Sequence, residues 1–422
     1  VWVDAMSGCV TTIEILDTTG REKEATMVNE PHQSTVLPLG LPALSVSLPA
    51  EPPTVIGPPA LALPRQVLPG FSSNLLVQAY DGEAATTAAV IAHAGVGVVH
   101  TIEHLGRKST HFANARAAVA LTRQSAPSAD ILIDRNRYSG KNRALVTDAM
   151  STQWVTDQLT VLGLPWAMAD PGFAYTVSDV ARILAEAQVL PDRVIVPLAM
   201  PHEVLRDDAP AIVALINEQD KPVAVILEHK NDPCGAEGVV DGLIHLLHGA
   251  SVPVLVLRTD TSALGAIAHG AVAAGVGTHS GLRHNFPIPP KPGGGPEKLA
   301  FVVPDLLTYV QADRFAKAYL LSPTLPMWQC GCWLCRGRNL DWIRASQHAV
   351  TAAFQHSVTV IAELGAQLQT RAVTTHPIQA WDDMVTTAQA AHGAASNPSG
   401  SPWAPQEFLA HWHHGNTQQP II

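Results

Sequence analysis

The chain has 422 residues, 47% of them apolar and 15% charged, with a formal net charge of −10 and five cysteines. So apolar a composition excludes a disordered or fibrous chain, and the length allows a large barrel plus an appendage. The acidic balance argues against a generic nucleic-acid coat, whose affinity comes from massed Lys and Arg, and the cysteines, three of them within six positions, point to metal binding rather than a disulfide framework.

In chain order, the first thirty residues lack a charged leader and apolar core, because Asp4, Glu14 and Asp17 interrupt every apolar run; a cytoplasmic protein is expected. Residues 31–70 carry ten prolines between short apolar runs and read as extended chain. Pro38, Pro42 and Pro49 break the apolar stretch from Val36 to Ala50, so no spanning helix and no membrane partner are expected. Residues 1–70 form a proline-rich N-terminal extension on this reading.

From Asn74 the rhythm changes to short apolar runs alternating with helical patterns. The runs read as eight strands: Asn74 to Tyr80, Val96 to Ile102, Ile131 to Asp134, Pro165 to Asp170, Arg193 to Met200, Pro222 to Glu228, Val252 to Asp260 and Ala271 to Thr278. Apolar spacing near 3.6 predicts helices over Ser178 to Gln188, Ala209 to Glu218 and Gly238 to His248, among others. Eight such units predict an α/β fold, a (β/α)8 TIM-like barrel over residues 71–286. An open doubly wound sheet competes, but no Gly-x-Gly-x-x-Gly follows an early strand, and Gly275-Val-Gly277 is only a near miss. Eight basic residues between His104 and Arg143 (Arg107, Lys108, Arg116, Arg123, Arg135, Arg137, Lys141, Arg143) face two acids, Asp130 and Asp134. They are either a polyanion-facing patch or a solvated helix and loop.

A proline- and glycine-rich loop, Pro287 to Pro296, opens a linker and zinc-binding helical module over residues 287–396, and residues 397–422, without periodicity, read as an irregular tail. His411, His413 and His414 there carry little weight as metal ligands. Cys330-Gly-Cys332-Trp-Leu-Cys335 can present three sulfurs to one structural Zn2+ ion, with the fourth ligand downstream. His348 and His356 share a predicted helix, Leu340 to Leu364, and differ by roughly 80° around its axis, so only one reaches. Four protein ligands would close the site and make it structural.

Function collects at the carboxyl ends of barrel strands. Those ends here carry Asp134, Asp170, His202, Glu228 with His229, Asp260 and His279. Helix capping and turn formation compete for Asp134, Asp170 and Asp260.

A barrel followed by this cysteine motif, Arg336 to Ile343, and then Phe354-Gln-His356-Ser-Val358 resembles the tRNA-guanine transglycosylase family from about Asn74 to Leu364. The resemblance implies His356 as the zinc ligand, with His348 the runner-up. The short spacing from Cys335 to His356 is closer to the divergent branch that inserts 7-deazaguanine bases into DNA. It further implies a transferase reaction, exchange of a guanine-type base in DNA or tRNA for a 7-deazaguanine, in which a carboxylate attacks the glycosidic carbon. The target base must leave its stack. Asp134 resembles the aspartate of the family's Asp-Ser-Gly-Gly-aromatic motif, although Asn136 and Arg137 replace the glycines, and Asp170 resembles the strand-end aspartate that reads the guanine edge.

Gly275 stands where the family has its nucleophilic aspartate. Either Asp260 or Glu228 takes that role, or the chain is a non-catalytic relative acting as a nucleic-acid-binding or partner subunit. His229, Thr278, His279 and Arg283, with His284, suit holding a phosphate or a base. Homodimerisation or a partner protein also fits the resemblance. A metal-dependent hydrolase is disfavoured, since Val99-His100-Thr-Ile-Glu-His104 lacks a His-x-His pair.

Overall fold

The computed structural model describes residues 67–103, 110–288, 298–399 and 403–418, plus a short antiparallel ladder of Ile15–Leu16 with Glu22–Lys23. Val1–Gly57 and Pro58–Ile422 are separate compact units, and the second is described below. Residues 31–66 of the extended segment expected over 31–70, and Arg107 and Lys108 of the basic cluster, lie outside the described residues.

Strands buried on both faces read as near-continuous Val, Ile, Leu and Ala. Eight such strands form here: β1 (Leu75–Tyr80), β2 (Gly97–Thr101), β3 (Ile131–Asp134), β4 (Ala167–Met168), β5 (Val194–Pro201), β6 (Val223–Glu228), β7 (Val254–Thr259) and β8 (Ala273–Gly277). Their hydrogen-bonded order is β3-β2-β1-β8-β7-β6-β5-β4, and every pair is parallel. This is the expected TIM-like barrel, nearly closed. Alternate residues such as Leu76, Val99, Leu132, Ile195, Ile226 and Leu257 fill its interior.

The helices are α1 (Ala84–Ala94), α2 (His111–Ser125), α3 (Thr152–Thr160), α4 (Val177–Ala187), α5 (His202–Gln219), α6 (Val239–Gly249), α7 (Ala263–Ala268) and α8 (Ser280–Arg283). The expected helix over Ala209 to Glu218 extends back to His202 across a kink at Asp208 (φ −125°), where Pro210 denies the ladder a donor.

Between β3 and β4 the ladder fails. Gln158 of α3 takes its place, accepting from the Met168 N–H at 3.0 Å and donating to the Met168 carbonyl at 2.9 Å. Side chains then hold the seam: Asp170, after β4, accepts from Arg135 (2.6 Å), Arg137 (3.0 Å) and the Ser151 N–H (2.8 Å). Gly172 presses on the far strand's loop so closely that a Cβ there would lie 2.1 Å from the Leu145 carbonyl oxygen.

The C-terminal module carries a hairpin, β9 (Ala300–Val303) and β10 (Thr308–Gln311), then α9 (Ala312–Leu321), α10 (Asp341–Ala345), α11 (Ala349–Ala372), α12 (Pro377–Ser399) and α13 (Glu407–Gln418). Two expectations are corrected. The single helix over Leu340 to Leu364 is two, broken at Ser346–His348. The tail is not irregular: α13 buries Phe408, Leu409 and Trp412, and Gly265 is bare because a Cβ there would lie 2.6 Å from the Trp412 ring. No helix among the described residues is long and apolar enough to cross a membrane.

Two predictions follow from this packing. His100 and His269 are fully buried and His284 nearly so, and burial lowers all three to about 4. The unfolded chain therefore binds more protons between about pH 6.5 and 4, so stability is complete above that window and falls as pH drops through it, by at most about 3 kcal/mol for each histidine. Urea midpoints at pH 7 and pH 5 measure this, and His100→Gln removes one proton from the slope; equal midpoints at the two pH values overturn it. Asp170→Ala leaves two guanidinium groups unpaired and lowers unfolding stability by about 3 kcal/mol, whereas an unchanged midpoint means the seam closes without it.

Candidate functional site: a thiolate–imidazole cluster and the barrel mouth

Cys330, Cys332, Cys335 and His356 are all buried, and their ligand atoms lie within 4.8 Å of one another. A tetrahedral ion with Zn–S near 2.3 Å puts its sulfurs roughly 3.8 Å apart, so the group can hold one metal ion. The turn that gathers the sulfurs uses positive φ at Arg336 (+53°) and Gly337 (+80°), and closes with Gly337 N–H donating to the Cys330 carbonyl at 2.9 Å. The Cys335 N–H and the Trp342 indole N–H donate to Cys332 and Cys335 sulfurs at 3.3 and 3.2 Å. His356 Nε2 bonds the Val302 carbonyl at 2.8 Å, so Nδ1, 3.2 Å from Cys335 Sγ, keeps the lone pair for the ion. His348 is exposed at the N-terminus of α11 and is not a ligand.

The strand-end carboxylates have separate environments. Asp134 is an interior hub: it accepts from Tyr138 OH (2.5 Å), the Asn136 N–H (2.7 Å) and Gln78 (3.4 Å), with Arg258 at 3.8 Å. Arg258 and Asn136 hold positive φ (+53° and +60°) to reach it. Asp170 closes the seam, so it does not face the mouth as a base reader would.

Glu228, at the end of β6, pairs with Arg143 and accepts from Asn285 Nδ2 at 3.3 Å. The Arg143 guanidinium lies 3.8 Å from the Phe173 ring centroid and 5.0 Å from that of Tyr175, whose hydroxyl accepts from Arg143 Nε at 3.1 Å. His202 and His229 pack ring to ring at 4.4 Å, and His284 and Phe286 at 4.3 Å. Burial raises the Glu228 carboxyl, with Arg143 opposing. Burial, joined by the charges of Arg283, His229 and Arg258, keeps His284 neutral at about 4.

Asp260, after β7, neighbours Asp232, which the sequence reading missed. Burial raises both, and the charge of Asp260 pushes Asp232 further; Ser262 and Arg283 oppose this at Asp260. One Asp232 oxygen accepts from the Cys234 N–H at 2.9 Å, and the other is buried without a hydrogen-bond partner. A carboxyl pair so placed holds a proton more tightly than an isolated one.

Thr278, His279 and Arg283 lie apart from Glu228 and line a cavity of about 200 Å³ beside α1, β9 and α11. At Gly275 a Cβ would lie 2.9 Å from Leu257 Cδ2 and 3.4 Å from Gln78 Oε1, so a side chain there requires the Leu257 side chain to shift. The basic cluster is corrected in part, since Arg135, Arg137 and Arg143 are turned to internal carboxylates while Arg116, Arg123 and Lys141 remain exposed. In the tail, His411 bonds the Cys234 carbonyl and His413 pairs with Asp382, so both have packing roles.

No protein-family model and no curated protein matches the chain. Among solved structures it is similar to a mandelate racemase/muconate lactonizing enzyme from Roseiflexus sp., at 16% identity over 48% of this chain and 55% of that one, with a TM-score of 0.31. Homocysteine methyltransferase MmuM from Escherichia coli matches at 15% identity over 49% and 90% of the two chains, TM-score 0.32. Dihydrodipicolinate synthase from Rhodopseudomonas palustris matches at 15% over 50% and 72%, TM-score 0.32.

The four-ligand geometry sets an expected stoichiometry of about one metal ion per chain, read by elemental analysis of the purified protein. His356→Ala and Cys332→Ala lose the ion and lower the melting temperature, and His348→Ala keeps both. Retention of full metal content by His356→Ala rejects the ligand set.

Proposed function

We propose that this chain is a divergent relative of the tRNA-guanine transglycosylases that exchanges a guanine-type base in DNA or RNA for a 7-deazaguanine at the barrel mouth, with Zn2+ as a structural ion. A closed set of three thiolates and one imidazole suits zinc, and with four protein ligands it leaves no open position for catalysis. The observation that carries the reading is the grouping of Arg143, Phe173 and Tyr175 beside Glu228 and Asn285. Tyr175, which is exposed and backed by Arg143 over the buried Phe173, offers a stacking surface for an extruded base, and a carboxylate and an amide offer hydrogen-bond groups for its edge or attack on its sugar.

Glu228 is the carboxylate assigned to attack. Its oxygen forms a bond to C1′ as the C1′–N9 bond breaks, and the departing purine takes a proton at nitrogen. The raised Asp232–Asp260 pair supplies that proton, which follows the rule that acid and base are found where environments push carboxyl groups apart. The incoming deazaguanine then attacks C1′, displaces Glu228, and returns its proton to the acid pair. Asp134 acts indirectly, by fixing Tyr138 and Arg258.

One observation favours a second reading, a nucleic-acid-binding relative without chemistry. The family position of the nucleophile is Gly275, which carries no side chain to attack with.

Incorporation of labelled guanine or 7-deazaguanine into DNA and tRNA by the zinc-loaded chain separates the two. Exchange is expected in the wild type, with a loss of at least about 10³-fold in Glu228→Gln and about 10²-fold in Asp260→Asn, at unchanged metal content. No incorporation into any nucleic acid selects the second reading, and a fully active Glu228→Gln removes the assigned nucleophile.

A further inference from the structure

The cavity beside β8 lies between the barrel and the metal-binding module, and the exchange reaction does not use it. Its barrel wall carries Thr278, His279 and Arg283, with Glu83 and Thr86 from the start of α1. Lys298, Leu299 and Ala300 lead into β9, and Val350, Phe354 and Ser357 come from α11.

The charges do not cancel. Glu83 is taken up by His279 Nε2 at 2.5 Å and by the Tyr80 N–H at 3.2 Å. Arg283 is held flat over the Tyr309 ring, 4.0 Å from its centroid, while Tyr309 OH donates to the Gly277 carbonyl at 3.2 Å. Asp260 feels the charge of Arg283, but among the described residues neither Arg283 nor Lys298 makes an ion pair. Two cations, Arg283 from the barrel wall and Lys298 at the entry to β9, therefore line a space that is otherwise largely apolar, with Val350, Leu299, Ala353 and Phe354 around it. Ser357 adds a buried hydroxyl, which accepts from the Val302 N–H at 3.2 Å and so has its own proton to donate.

Cations and apolar side chains lining one space match a ligand with an anionic end and a flat or aliphatic body. At about 200 Å³ the space is larger than a bare phosphate needs. We infer that this cavity is a nucleotide-binding subsite, in which Arg283 and Lys298 hold a phosphate and the α11 wall takes the sugar or base. A free nucleotide and a nucleotide of a bound strand share this chemistry. The second source rests on the exchange reading; the first does not.

Calorimetric titration of the full-length, metal-loaded chain with inorganic phosphate, dGMP and a short single-stranded DNA tests it. dGMP or the oligonucleotide is expected to saturate and to bind more tightly than phosphate. Lys298→Glu, an exposed position, and Arg283→Gln weaken that binding by at least about tenfold, with metal content and circular dichroism unchanged. Tighter binding of the oligonucleotide assigns the subsite to a strand, and tighter binding of dGMP assigns it to a free nucleotide. No saturable binding of either at millimolar concentration, or equal binding by wild type and Lys298→Glu, overturns the inference. Lys298-dependent binding without base exchange rejects the chemistry and leaves the subsite; exchange without Lys298-dependent binding does the reverse.

Discussion

The failed ladder between β3 and β4 is the constraint on which the mouth depends. Gln158 occupies the backbone groups of Met168 that would otherwise pair with β3, so the seam is closed by side chains and, beyond the strands, by the Phe173 N–H donating to the Ala144 carbonyl at 2.9 Å. One loop after β3 supplies those side chains. Its Arg135 and Arg137 clamp Asp170 across the gap, Tyr138 turns inward to Asp134, and Arg143 reaches over to Glu228. Closing the seam and shaping the mouth are thus one act, and the cationic character of that loop is spent inside the fold.

The carboxylates at the strand ends are similar in sequence and different in environment. Asp134 and Asp170 are saturated with hydrogen-bond donors, which leaves little capacity for a ligand. Glu228 has one arginine and one amide against its burial. Asp232 and Asp260 have mainly each other and a few N–H groups. In the proposed exchange Glu228 would attack and the Asp232–Asp260 pair would hold the proton, while Asp134 and Asp170 serve geometry.

Much of this fold is legible in the sequence because parallel strands buried on both faces leave unbroken apolar runs: Ile131 to Asp134 is a strand to the residue, and the others differ by one to four at their ends. The cysteine spacing likewise points to three of the four residues that could hold a metal ion. Tertiary partners are what local pattern cannot supply. Phe408, Leu409 and Trp412 make only one apolar turn amid His, Asn and Gln, and become a helix because Gly265 leaves room for the indole. Arg143 reads as one cation among eight until Glu228, 85 residues away, is beside it. Asp232 reads as a turn before Pro233 until Asp260 comes alongside.

The metal site reaches further than its own loop. His356 binds the carbonyl of Val302, and its neighbour Ser357 binds the N–H of the same residue, so both backbone groups of one β9 residue are tied to α11. An ion on Nδ1 of His356 would fix that ring and, through it, the register of β9 against the helix. Ala300, two residues back in β9, and Ser357 both line the cavity beside β8. An ion held here would therefore do more than stiffen a small module, because it would fix β9 against α11, two elements whose residues line that cavity.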